Sequence, residues 1–489
     1  MSDDKKQAIT AKKAEDFSEW YTQLVERAEL ADIRYGIKGF VVYREWAQIT
    51  MEKMFRIMID ALDMTGHMPV VMPTLIPEKN FTIEADHVEG FAPEVFWVTE
   101  TGADKKLEER LALRPTSETA FYQMYKLWIQ SYRDLPYKRY QRGSVFRAEK
   151  SKATRPFFRG KEFHWIESHN AFATEEEAMK QVEQDMHITH EVLYKRFAIP
   201  HIFFKRPHWD KFPGAVHTFA ADALMGSGKV LQLPSTHYLG KNFSEPFDVT
   251  YLDNEGQSKH CHTTCYGPSI SRIYGALIAL HSDDKGLRLP LELSPVQIVI
   301  VPIFREGKEK VVMDYCNQLA GKLRTMYSVY VDGREGYSPG WKFNQWELKG
   351  VPIRIEVGPR DLEQGTAVIA RRDLNEKKEY LQNSLPQDIA KIANEYTANL
   401  ISQAESSFEQ NTVSAHTLEE VKAAIGQDKI VKMCFCSTGP QGTECAAKFE
   451  EASGGFIRGE KAFVEEEVQG LCPGCNKPAK AVVYVAKSY

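Results

Sequence analysis

Three short runs, far apart in the chain, carry side chains suited to a single anionic site: Arg114-Pro-Thr-Ser-Glu118, Phe146-Arg147-Ala-Glu149 and Ser271-Arg272. A guanidinium is a planar fork of donors that can address two oxyanions at once. Arg147 and Arg272, each beside polar partners, therefore suit a pocket that holds a nucleoside triphosphate against a carboxylate substrate. Phe157-Phe158-Arg159-Gly-Lys-Glu162 adds an aromatic face next to another arginine. Each run also has an ordinary structural reading. Thr116 or Ser117 could cap a helix whose dipole Glu118 complements, and Arg147 with Glu149 could be a weak surface ion pair. Their occurrence together favours the chemical reading.

A second constellation lies near the C-terminus, where Cys434, Cys436, Cys445, Cys472 and Cys475 crowd together. Cys472-Pro-Gly-Cys475 has the two-residue spacing of a zinc knuckle, and Cys445 with Cys436 or Cys434 can complete a closed tetrahedral thiolate site. His260-Cys261-His262-Thr-Thr-Cys265 is a poorer candidate. On a strand its histidines share one face and its cysteines the other, so no zinc is expected there.

The surrounding elements must position these groups. Tyr43 to Asp63 reads as an amphipathic helix, followed by a strand-like Val70 to Ile76 interrupted by Pro73. Phe121, Met124, Tyr125 and Trp128 mark a helix starting near Thr116, and Ile273 to His281 resumes helical spacing. Strand-like pieces lie at Gly143 to Phe146 and Glu162 to Glu167. From Val296 to Asn399 strands and helices alternate, which implies a small mixed sheet. Boundaries are expected near Leu289 to Pro295 and in the polar stretch Ser402 to Thr417, giving units at 1–290, 295–402 and 410–489.

A net charge of -5 and a pI near 6.3 exclude a generic nucleic-acid coat, which works by neutralising phosphates. The stretch Lys138 to Lys161 is locally basic, with Glu149 its lone acid, and it surrounds the second run. The N-terminal residues lack an apolar core for a signal segment, so a soluble cytoplasmic protein without membrane association is expected.

The quoted runs resemble those of class II aminoacyl-tRNA synthetases, and within them the prolyl-tRNA synthetases of archaeal and eukaryotic type, over nearly the whole chain. Phe146-Arg-Ala-Glu149 resembles motif 2, Arg272 with the following helix resembles motif 3, and Pro73 resembles the motif 1 proline. Ser235-Thr-His-Tyr-Leu-Gly-Lys-Asn-Phe243 and Gly340-Trp-Lys-Phe-Asn-Gln-Trp-Glu-Leu-Lys-Gly-Val-Pro352 are more specific. The resemblance implies an α+β catalytic domain with an antiparallel sheet, an α/β anticodon-binding domain and a small α+β zinc-binding domain, in a homodimer.

It also implies roles. Arg147 would bridge the carboxylate of L-proline and the α-phosphate of ATP, and Arg272 would hold the γ-phosphate. Glu149 would accept from the adenine amino group, Phe158 would stack on the ring, and Gln232 and Ser235 would touch the nucleotide. Thr116 and Glu118 would meet the prolyl ammonium, with Trp165, Phe212 and His237 around the ring. Glu347 and Arg360 would read the anticodon of tRNA(Pro). Mg2+ would ride on the phosphates, and Cys436, Cys445, Cys472 and Cys475 would hold zinc, Cys436 being preferred because it follows Phe435.

Two loops depart from the family pattern: one extra residue lies between Gly267 and Arg272, and Arg147 to Arg159 is slightly long. The span from Glu149 to Arg272 leaves no room for the large editing insertion of bacterial-type enzymes, so no hydrolysis of mischarged alanine in cis is expected. Two alternatives remain: a relative that binds RNA but has lost catalysis, and an enzyme that also activates cysteine.

Overall fold

The computed structural model describes residues 8–81, 95–102, 105–150 and 154–489. Strands β1 (Met68–Pro69), β2 (Tyr137–Phe146), β3 (Glu162–Phe172), β4 (Ile202–Lys205), β5 (His217–Leu224), β6 (Val230–Gly240) and β7 (His262–Tyr266) lie in the spatial order β1-β2-β3-β7-β6-β5-β4. All pairs are antiparallel except β1 with β2. Helices α1 (Phe17–Arg27), α2 (Glu45–Met64), α3 (Glu118–Trp128), α4 (Glu175–Thr189) and α5 (Ile270–His281) belong to the same unit. Met51, Met54, Phe55, Met58 and Leu62 of α2 repeat at helical spacing and share one core with Ile270, Ile273, Tyr274, Leu277 and Ile278 of α5. Helix α5 is buried on almost every side, as an apolar helix with no polar face must be.

Two local expectations need correction. The run Val70 to Ile76 is not one strand. Met68–Pro69 joins the main sheet, whereas Leu75–Pro77 joins a separate three-stranded sheet with Phe96–Thr101 and Lys105–Leu113. Between them Met72 N donates to the Gln141 side chain at 2.8 Å instead of to a ladder, and Pro73 has no donor to offer. The helix expected near Thr116 begins at Glu118, and the Ser117 hydroxyl makes no cap because it donates to Glu167 instead.

Strands β8 (Ile298–Pro302), β9 (Val329–Val331), β10 (Ile353–Val357), β11 (Thr366–Arg371) and β12 (Glu376–Leu381) form the mixed sheet in the order β9-β8-β10-β11-β12. Helix α6 (Pro339–Leu348) packs on β8. The polar stretch expected as a boundary is largely helical, because α7 (Leu385–Gln410) runs through it. Its polar residues face outward while Leu400 and Ala404 are buried.

The C-terminal strands β13 (Thr412–Ser414), β14 (Ile430–Phe435), β15 (Phe456–Lys461) and β16 (Ala481–Ala486) pair as β13-β14-β16-β15, and α8 (Thr443–Ser453) packs on β15. Strand β15 then continues onto β4, with Glu460 opposite Lys205 and Lys461 opposite Phe204. One eleven-stranded sheet therefore runs from the C-terminal strands through the catalytic ones. Gly459, at φ +117°, permits the seam, since a Cβ there would meet Lys205 O at 2.1 Å.

Candidate active site

Strand alternation places Phe163, Trp165, Glu167 and His169 of β3 on one face, where all four line a cavity of about 320 Å³. Thr116 reaches it from the turn before α3 and Glu118 from the first position of that helix, Ser235 and His237 from β6, Phe212 from the loop before β5, and Arg147 from the end of β2. Gln232 joins them through an irregularity in β6. Ala220 faces Ser235 and Asp222 faces Gln232, so β6 uses one residue more than β5 over this interval. A bulge at Leu233-Pro234 thus re-aims Gln232 onto the face of Ser235 and His237.

An adjoining cavity of about 680 Å³ is lined by Arg147, Glu149, Phe158, Arg159, Gln232 and Arg272. Arg147, Gln232 and Arg272 line both chambers. The Arg147 Nε donates to Pro115 O at 3.2 Å, which ties the first run to the second. Glu149 pairs with Arg159 at 2.8 Å, and Arg272 Nε donates to Phe158 O at 3.2 Å. Loss of hydration and the charges of Arg147 and Arg159 push the Arg272 guanidinium down to about 10. Cations held together against their own repulsion make this the electropositive end of the site, ready for a polyanion.

The smaller chamber is organised by hydrogen bonds. Thr116 Oγ1 donates to Glu118 at 2.5 Å. His237 Nδ1 meets Thr218 Oγ1 at 2.9 Å and its Nε2 meets Ser235 Oγ at 3.0 Å. Burial first, then the Arg206 and His169 charges, push the His237 pKa down to about 3, so its ring is neutral at physiological pH and can lie against Phe212, 4.6 Å away between centroids. Burial raises the Cys265 thiol well above its ordinary range, with Glu118 adding to the effect.

Every residue assigned to proline or nucleotide lines one of these two chambers. Ser235 lines the smaller one, although the resemblance gives it to the nucleotide. Phe158 is buried, its ring 5.0 Å from both Tyr21 and Tyr489.

Sequence reasoning missed Glu167 and His169, and it gave Arg114, which opens the first run, no role of its own. Glu167 accepts from Ser117 N at 3.1 Å, Ser117 Oγ at 2.5 Å and Gln141 Nε2 at 2.7 Å, with His169 Nε2 at 3.3 Å. Burial opposes its ionisation, but these partners hold its carboxyl below the usual range. Alternation from Trp165 was the available signal. Arg114 is buried, donating to Ser144 O, Met72 O and Gln141, and Gly143 leaves the room its guanidinium fills.

The basic stretch is partly committed to the fold: Arg142 pairs with Glu52 and Lys138 donates to Gln184. Glu347, at the end of α6, is held by Arg354 at 3.1 Å. Arg360 is exposed in the first turn of helix Pro359–Gln364.

The sulfurs of Cys436, Cys445, Cys472 and Cys475 lie within 4.8 Å of one another, with Cys445 and Cys472 3.8 Å apart. Tetrahedral zinc with Zn–S bonds of about 2.3 Å requires sulfurs about 3.8 Å apart, so the donor set fits. Cys434 lies within β14 opposite Val482 and is not in the cluster. Of the His260 to Cys265 segment, Cys265 alone enters a second group of possible ligands, with Glu118 and His169.

A long antiparallel sheet, a motif 2 arginine shared by two chambers and a motif 3 arginine on a buried helix define a class II aminoacyl-tRNA synthetase. Residues 96–281 match the tRNA synthetase class II core domain (G, H, P, S and T), residues 297–392 the anticodon binding domain, and residues 418–489 the prolyl-tRNA synthetase C-terminal domain. A proline--tRNA ligase of Thermofilum pendens is 51% identical over 486 residues, covering 99% of each chain. One from Methanopyrus kandleri is 40% identical over 97% of this chain and 96% of its own. The solved Giardia lamblia prolyl-tRNA synthetase in complex with prolyl-adenylate superposes with a TM-score of 0.95 at 32% identity, over 99% of this chain and all of its own. The chain belongs to the prolyl-tRNA synthetase family.

Proposed function

We propose that the smaller chamber takes L-proline and the larger one ATP with its Mg2+, and that Arg147 bridges the two. The chain attaches L-proline to tRNA(Pro) in two steps. In the first, a proline carboxylate oxygen attacks the α-phosphorus in line and pyrophosphate leaves. In the second, a terminal ribose hydroxyl of the tRNA attacks the prolyl carbonyl and AMP leaves. Neither step needs a protein nucleophile; positioning and cationic stabilisation supply the rate.

The observation that carries this reading is that Arg147 lines both chambers, as Gln232 and Arg272 do, while its Nε is tied to Pro115 O beside Thr116. There its fork holds the carboxylate and the α-phosphate side by side and stabilises charge as the bond forms. Arg272 takes the γ-phosphate, Glu149 the adenine amino group, Phe158 the ring and Gln232 a further nucleotide contact, and Ser235 reaches the nucleotide from the smaller chamber where the two meet. Thr116 and Glu118 receive the prolyl ammonium, while Trp165, Phe212 and neutral His237 surround the ring. Glu347 accepts from a guanine edge and Arg360 donates to one at the anticodon.

Cys436, Cys445, Cys472 and Cys475 would hold zinc in a closed structural site, which fixes the loops around α8 and takes no part in the reaction. The active form is a homodimer: the outermost strand β1 ends the sheet beside Met64, Met68 and Val71, which are 87%, 57% and 86% exposed. The units span 1–290, 295–402 and 410–489, and the substrates place the enzyme in the cytoplasm. No described helix is long and apolar enough to cross a membrane. ATP–pyrophosphate exchange with proline, cysteine, alanine and threonine side by side tests the assignment. Proline-dependent exchange is expected, and its absence would reject it.

A further inference from the structure

Behind Gln232 lies a charge cluster that no substrate role explains. Arg206, which follows β4, and Asp222 on β5 are each about 1% exposed at the side chain, and Arg458 on β15 is 8% exposed. Arg206 holds Asp222 by both terminal nitrogens, at 2.5 and 3.1 Å. One of these also donates to Arg458 O at 2.8 Å, and the other to Gln232 Oε1 at 3.0 Å. Arg458 returns to Asp222 at 2.7 and 3.3 Å. Buried ion clusters of this kind are costly to assemble and add little net stability. Their value here lies in what they orient.

An amide side chain can present its oxygen or its nitrogen, and the two ends differ little in shape. Arginine has donors only. With Arg206 behind it, the Gln232 amide must turn its oxygen backward and its NH2 toward the chambers. The bulge at Leu233-Pro234 sets where that amide stands, and the guanidinium sets which end faces substrate.

We propose that Arg206 is a positioning residue for nucleotide binding: with Asp222 and Arg458 it locks the Gln232 amide so that its NH2 group donates to an acceptor oxygen of ATP. The proposal rests on the nucleotide role given to Gln232 above. It makes the C-terminal strand β15 a working part of the catalytic site, since Arg458 supplies both an acceptor for Arg206 and the second cation on Asp222. Lysine in place of Arg206 keeps the charge beside Asp222 but, as a compact ammonium, cannot span three partners from a fixed plane.

Steady-state ATP–pyrophosphate exchange on the full chain tests this with Arg206→Lys, Gln232→Ala and the double variant, together with thermal unfolding. Arg206→Lys is expected to raise the KM for ATP about tenfold and to leave the KM for proline within about twofold. Gln232→Ala should do the same, and the double variant should be no worse than Gln232→Ala, because one interaction has been removed in both. Additive effects would overturn the positioning role while leaving the nucleotide role of Gln232 intact. An unchanged KM for ATP in Gln232→Ala would reject both. Gln232→Glu provides a check on polarity. It keeps a partner for Arg206 but offers ATP an acceptor, so its KM for ATP should exceed that of Gln232→Ala with no drop in unfolding midpoint. Wild-type ATP binding by this variant would overturn the proposal. If Arg206→Lys does not fold, Arg458→Met, which removes the second cation on Asp222 and keeps the bulk, enters the same cycle with the same expectations.

Discussion

Replacing Arg147 with alanine should separate activity from stability. Its Nε hydrogen bond to Pro115 O and its guanidinium over the Phe163 and Trp165 rings, 5.3 and 6.0 Å from their centroids, together contribute about 1–2 kcal/mol to the resting fold. Against this, Arg147 helps depress the Arg272 guanidinium, second to the loss of hydration. Removing a like charge from that neighbourhood returns an energy of the same order. The two terms offset, and the unfolding midpoint should move by no more than about 4 °C. Adenylate formation has no such compensation. One preorganised donor aimed at developing charge accounts for on the order of 10²-fold in rate, or about 3 kcal/mol. ATP–pyrophosphate exchange with proline should therefore fall at least that far in kcat/KM. Arg147→Lys restores a charge without the fork and should recover less than about tenfold. Exchange near wild type in Arg147→Ala, with the fold intact, would refute the bridging role.

Asp185 on α4 accepts from Thr236 and Gln181, each at 2.7 Å, yet burial pushes its pKa up to about 7 from 3.8 despite these bonds and the Lys138 charge. The folded state then binds this proton more tightly than the unfolded chain. The resulting stabilisation is complete below about pH 4, declines as pH rises and is gone above about pH 7, on the order of 4 kcal/mol in all. Asp185→Asn should gain stability relative to wild type across that window in thermal unfolding, and a pH-independent difference would contradict this. Elemental analysis should find one zinc per chain, lost in Cys472→Ser; a zinc-free native protein would reject the metal site. Glu347→Ala should lower kcat/KM for charging tRNA about tenfold or more while tRNA-independent exchange stays unchanged, and equal loss in both assays would place the residue elsewhere.

The arginines were legible because few arrangements bring Arg147, Glu149, Phe158 and Arg272 to one polyanion, and their flanking residues resemble a family. The cysteines were legible through spacing, while the choice of Cys436 over Cys434 depends on where β14 ends. Other residues depend on geometry that local sequence does not carry. Glu167 looks like one more charge on a strand until Ser117 and Gln141 arrive from other elements. Gln232 should point away from Ser235 by strict alternation, and a bulge reverses this. Val70 to Ile76 has the composition of one strand, but Pro73 and the competing Gln141 side chain divide it between two sheets. Asp222 and Arg458 are polar residues on strands and Arg206 one just past a strand end, and their meeting requires β15 to join β4, a pairing between segments about 250 residues apart.

That pairing bears on what the C-terminal unit does. If it were only a tethered module, opening its cysteine cluster would affect stability alone. Yet β15 extends the catalytic sheet, and Arg458 completes the cluster behind Gln232. Strand β16 leads to Tyr489, whose ring lies 5.0 Å from Phe158 and whose hydroxyl meets Ser227 at 2.5 Å. Tyr489 thus forms part of the wall of the larger chamber and Arg458 reaches Gln232 through Arg206, while Cys436, Cys445, Cys472 and Cys475 lie in the segments that connect β14, β15 and β16. Loosening that cluster should therefore weaken ATP binding at temperatures where the catalytic core is still folded, because the wall loses its support before the core loses its packing.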